Sequence, residues 1–142
     1  MDHAAVMNNC DAKAQRVGLA ALTEAERVVV LLSRANFEIE LGGLSSFFYN
    51  SAGDHAADTV SALELVKATR AAAALRAAMA KFPGGSPPTE RELRFDGDWQ
   101  QVLASLGSLD AEFYGEEPDV FSRLCSFIES HKAELREHDP GQ

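Results

Sequence analysis

The sequence has only two cysteines, Cys10 and Cys125, far apart and without CxxC spacing. That excludes a disulfide framework and a zinc site by pattern. Long apolar runs are missing too: none approaches the ~18 residues that a membrane helix needs. The first residues, MDHAAVMNNC, carry an early Asp2 and no basic stretch followed by an apolar one, so no secretory signal is read. With reduced thiols and neither feature, the expected location is cytoplasmic and no membrane partner is expected. Basic residues are few, 13 against 22 acids, for a formal net charge of -9, which disfavours direct binding to nucleic acid. β-Branched runs are scarce, and "RVVVLLS" at 27–33 is the only strand-like window.

What is present is helical. At 142 residues and 46% hydrophobic content, the chain can bury one core. "TEAE" ahead of the valine run fits a capping box: Thr23 accepts a backbone N–H and Glu26 reaches back. Ala25, Val28, Val29, Leu32 and Ile39 then recur at helical spacing, which predicts a central, mostly buried helix over 23–41. Val30, Leu31, Phe37 and Leu41 are expected to widen its apolar surface. Gly42 and Gly43 end it. Leu44, Phe47 and Phe48 then start a short helix with one apolar face. Gly53 closes that helix, and Asp54 is expected to cap the next, over 55–67. Thr69 is expected to cap a helix rich in alanine. "PGGSPP" at 83–88 is a loop. Helices are expected after "TERE", around Trp99–Leu106, within 107–119, and over 119–137 with Phe121, Leu124, Ile128, His131 and Leu135 on one face. The fold class is therefore all-α: a compact single-domain bundle of about six to eight helices with short connections. Residues 1–20 form a partly helical or mobile N-terminal segment that carries Cys10. Residues 21–138 form the helical domain, and residues 139–142 a frayed tail.

No catalytic, cofactor or metal residues are assigned. The Gly-Gly pair has no following Lys to make a phosphate loop. None of the four histidines makes HxxxH or HExxH. His131 and Cys125 read as partly buried structural residues, and no serine sits in a GxSxG elbow. The chain is not expected to be an enzyme. The one strong asymmetry is charge. Residues 1–89 hold 9 acids and 8 bases, whereas residues 90–142 hold 13 acids and 5 bases. Glu90, Glu92, Asp96, Asp98, Asp110, Glu112, Glu116, Glu117 and Asp119 are the candidate partner-binding carboxylates, for a basic protein. The plain alternative is a solvated, solubilising surface. Gly42, Gly43, Phe47, Phe48, Asn50, Gly53 and Asp54 are read as a structural corner. A small-ligand or hydrolase site at 42–54 would instead require a polar pocket containing Asn50 and Asp54.

The stretch "GGLSSFFYNSAGD" resembles the bacterial DNA-mimic-protein family, through Gly42, Gly43, Phe47, Phe48, Asn50, Ser51, Gly53 and Asp54. "SLDAEFYG" resembles that family's Leu-Asp and Phe-Tyr element through Leu109, Asp110, Phe113 and Tyr114. The chain departs from the family pattern at Leu41, Leu44 and Ser46. The resemblance covers about residues 22–130 and implies an all-helical, non-enzymatic interaction protein. In that family an acidic surface can occupy the DNA-binding face of a transcription factor, and a homodimer is among the states it allows. A toxin-neutralising or enzyme-regulating module is the other interaction reading.

Overall fold

The computed structural model describes residues 1–95 and 99–141. Among these there are eight α-helices and no strand, so the chain is an all-α bundle. They are α1 (His3–Val17), α2 (Glu24–Tyr49), α3 (Ala56–Leu65), α4 (Thr69–Met79), α5 (Trp99–Ser105), α6 (Gly107–Tyr114), α7 (Val120–Ser130) and α8 (Lys132–Leu135). Short 3₁₀ turns at Ser51–His55 and Arg91–Phe95 lie between them, and one at Arg136–His138 follows α8. No helix among the described residues is long and apolar enough to cross a membrane.

The centre is α2, which packs against α1, α3, α6 and α7. The capping box starts it as read: Thr23 Oγ1 accepts the Glu26 N–H at 3.1 Å, and Glu26 Oε1 accepts the Thr23 N–H at 2.9 Å. Val29, Val30, Leu32 and Ile39 are then fully buried. Burying such a side chain is worth about 1.5–3 kcal/mol, which is why an all-round apolar helix takes the middle of the bundle. Phe37 and Leu41 depart from that expectation. They are 64% and 70% exposed: among the described residues, nothing buries that side of α2.

Helix α2 is kinked where the two glycines stand. Gly42 and Gly43 leave helical geometry, and the short helix that follows buries Leu44, Phe47 and Phe48 completely. The Phe47 and Phe48 rings meet edge to face with centroids 5.0 Å apart. Phe48 lies 5.0 Å from Phe82, which lies 5.9 Å from Trp99. Each such pair adds about 0.5–1.5 kcal/mol to the area it buries. This aromatic chain anchors the proline-glycine loop and α5 to the end of α2.

Other details settle or correct the sequence reading. The segment that carries Cys10 takes the helical of its two expected forms; Cys10 is fully buried in α1, and burial followed by the nearby Glu26 pushes its thiol up to about 12. Thr69 does not cap α4; Ala68 holds that position, and the Thr69 hydroxyl donates to the Lys67 carbonyl instead. The helix expected over 119–137 breaks at His131 (φ −117°, ψ 23°), whose ring stacks on Phe127. Phe121, expected on the buried face, is 45% exposed.

Candidate functional site

The corner at 42–54 is built from α6 and from Arg94. A helix that stops leaves its last carbonyls unpaired, and a helix that starts leaves its first N–H groups unpaired. At the α2 kink both kinds of orphan find partners on α6. Asp110 Oδ1 accepts the Leu44 N–H at 2.8 Å, and the Tyr114 hydroxyl donates to the Ile39 carbonyl. Asp110 and Tyr114 stand four residues apart, so one face of α6 serves both groups. Burial, then Asp110 and Glu40, raise the Tyr114 phenol above its ordinary range and keep it a hydrogen-bond donor. Gly43 makes this approach possible. Its φ is +73°, and a Cβ there would lie 2.5 Å from Asp110 Oδ2. The two stretches that resemble the family therefore form a single joint.

This joint gives a sharp prediction. Asp110→Ala should cost about 1–2 kcal/mol, the value of a lost helix cap. Gly43→Ala should cost more alone than in the Asp110→Ala background, because removing the carboxylate removes the clash. Urea denaturation of the two single variants and the double variant measures this. Strict additivity would show that the two positions do not meet.

Arg94 closes the other side of the corner and has no counterpart in the sequence reading. Its guanidinium is almost completely buried. It donates to the carbonyls of Phe48 at 2.8 Å, Asn50 at 2.9 Å and Pro88 at 2.9 Å. Asp54 Oδ1 lies 2.8 Å from Nη1 as an ion pair, but no N–H points along that line. Asp54 is therefore a counter-ion to Arg94, not the expected helix cap. Gly53 is required here as well: a Cβ would come within 2.8 Å of the Phe47 carbonyl and 2.9 Å of Phe48 Cα. Asn50 donates from Nδ2 to Glu38 Oε2 at 2.8 Å, and Ser46 Oγ donates to the same oxygen at 2.7 Å. An open cleft of about 710 Å³ lies nearby, bordered by Glu38, Ser51, Ala52, Arg34, Phe37 and Phe121, but neither Asn50 nor Asp54 lines it. The polar pocket that a ligand site at 42–54 requires is not the one formed.

The structure divides the acidic candidates into two groups. Asp110 and Glu116 face inward. Glu116 is buried; its Oε1 accepts the Ala71 N–H at 2.9 Å, which caps α4, and its Oε2 lies 3.3 Å from Arg123. Glu90, Glu92, Glu112, Glu117 and Asp119 are exposed. Glu112 meets Arg70 at 3.0 Å with both side chains about half exposed, an arrangement worth little. Asp119 accepts the Ser122 N–H at 2.8 Å as the cap of α7, and that bond lowers its carboxyl below the ordinary value. Glu90 and Glu92 belong to the segment packed on the end of α2, whereas Glu112 is on α6, beside α4. Asp96 and Asp98 lie outside the described residues.

A second charged cluster joins both ends of the chain to α2. Glu26 Oε2 is 2.8 Å from Lys13 Nζ and 2.6 Å from His138 Nε2, and Glu137 Oε1 is 3.2 Å from the same Lys13. Ligand-type atoms of Glu26, Glu137 and His138 lie within 4.8 Å of one another, as a metal site would require. The Lys13 ammonium already bonds both carboxylates, however, and the other Glu26 oxygen is used on the Thr23 N–H. The arrangement is that of an ion cluster.

The fold and its surface define an acid-rich helical protein whose best-formed polar joint is architectural. The chain belongs to the DMP19-like protein family, whose model matches residues 20–131. That match spans both the α2 kink and α6, and the family is the DNA-mimic family that the two motifs resemble. Comparison with curated proteins and with solved structures found no match.

Proposed function

We propose that this chain is a non-enzymatic protein that binds a basic, DNA-binding protein and takes the place of the DNA backbone on it. The observation that carries this reading is the group of exposed carboxylates at Glu90, Glu92, Glu112, Glu117 and Asp119, in a segment with 13 acids against 5 bases. Membership of the DMP19-like family supports it. Carboxylates can replace phosphates because both accept paired N–H donors from arginine. Asp110 and Glu116 are left out of the binding set, since their oxygens hold the fold together.

The test is a variant with the four exposed glutamates changed to Gln and Asp119→Asn, which keeps the α7 cap. A basic protein captured on the wild-type chain is purified, and its affinity is measured at two salt concentrations. The wild-type affinity should fall steeply with salt, and the variant should bind about tenfold more weakly or worse. Equal affinity of the two forms at low salt would sink the assignment of these residues.

A further inference from the structure

Among the described residues, Lys67 is the one non-glycine residue with positive φ, at 68°. It sits just past α3, where the Ala68 N–H reaches the Leu63 carbonyl at 2.9 Å and the Lys67 N–H reaches the Glu64 carbonyl at 3.0 Å. This pair of bonds is the helix ending that glycine usually fills, because glycine has no Cβ to strain it. Local folding therefore favours glycine, yet the chain has lysine.

Beside Lys67 lies a cleft of about 320 Å³ between the end of α3 and the outer face of α7. In a chain with 22 acids to 13 bases, no Asp or Glu among the described residues lines this cleft. Its polar lining consists of Lys67, Arg123, His131 and the serines 122, 126 and 130, which recur every four residues on α7. Leu65 and Phe127 supply an apolar wall. Arg123 is fixed by the carbonyls of Glu117 and Pro118, each at 2.9 Å. His131 donates its Nδ1–H to the Phe127 carbonyl at 2.9 Å, so the neutral ring turns an acceptor, not a donor, out at Nε2. Lys67, Ser126 and Ser130 have no side-chain partner among the described residues. An ammonium and two hydroxyls thus share one concave surface.

We propose that this cleft binds a small phosphate-bearing molecule. Hydroxyl donors beside an ammonium, in a lining with no carboxylate among the described residues, suit an oxyanion, and the strained lysine supplies the cation. Acids do stand just outside. Glu116 answers Arg123, Asp119 holds the Ser122 N–H, and Glu24 and Glu134 border the next cleft beyond His131. The attraction is therefore short-ranged, with an affinity on the order of millimolar.

The experiment is an NMR titration of the full chain with inorganic phosphate, and separately with phenyl phosphate, at fixed ionic strength. Saturable shifts are expected at Lys67 and over 126–131. Tighter binding of phenyl phosphate assigns the ligand to the monoesters, through the Leu65–Phe127 wall; equal binding assigns it to the bare ion. Lys67→Met, which keeps the strain and removes the charge, should bind at least about tenfold more weakly. Lys67→Gly should also lose the ligand, while its melting temperature rises by about 4 °C as the strain is relieved. Equal shifts from chloride at the same ionic strength, or a Lys67→Met variant that titrates like the wild type, would overturn the proposal.

Discussion

Replacing Arg94 by leucine should cost about 3–5 kcal/mol of folding stability, the largest single loss expected in this chain. The buried guanidinium bonds three backbone carbonyls, those of Phe48, Asn50 and Pro88, and neutralises Asp54. Leucine fills part of the space but donates nothing. Three acceptors and one carboxylate then lose their partners in a region that water reaches poorly, and each buried orphan costs about 1–3 kcal/mol before relaxation. Lysine should rescue little, because one ammonium cannot serve three separated carbonyls in a plane. Chemical denaturation of the three proteins measures this. A loss under 1 kcal/mol for Arg94→Leu would show that the corner does not depend on this residue.

The second large effect concerns acid. Burial by itself would push the Glu26 carboxyl up, but hydrogen bonds from Lys13, the Thr23 N–H and His138 outweigh it and hold the group down to about 2. The ordinary value is 4.5. Since the folded value lies below the unfolded one, the stabilisation is fully present above pH 4.5 and is lost as pH falls toward 2. At about 1.4 kcal/mol per unit, the amount at stake is roughly 3 kcal/mol. Glu26→Gln should therefore be less stable than the wild type by about that much at pH 7, with the gap closing as pH falls through about 2. Asp119 and Glu129 are also held low, but both remain in the variant, so the difference between the two unfolding curves isolates Glu26. A gap that stays constant across this range would show that the Glu26 charge is not what the cluster uses.

The parts of this fold that were legible in the sequence are those set by neighbours along the chain. The Thr23–Glu26 box, the helical spacing from Val28 to Ile39, the break at Gly42 and Gly43, and the anchoring by Phe47 and Phe48 all depend on local geometry, and all are found. What was not legible depends on partners distant in sequence. Arg94 stands in a polar stretch, and its acceptors at Phe48 and Asn50 are main-chain atoms more than forty residues away, with no side-chain signature. In the sequence, Asp110 and Glu116 stand among the expected partner-binding carboxylates of an acidic run. They are caps for N–H groups of Leu44 and Ala71, which become neighbours only once α6 packs on α2 and α4. A signal for one of these existed: the Asp110–Tyr114 spacing puts both polar groups on one face of a helix. Phe37 and Leu41 have the period of core residues, but periodicity does not tell which side of a central helix its neighbours leave open.

In the proposed function, the exposed carboxylates stand in for DNA phosphates on a basic partner. The most direct test is competition. The captured partner is bound to a DNA duplex, this chain is added in increasing amounts, and the released DNA is measured. Stoichiometric release is expected from the wild type, and little from the variant with Glu90, Glu92, Glu112, Glu117 and Asp119 neutralised. A partner that keeps its DNA while binding the wild-type chain, or equal release by both forms, would contradict that function.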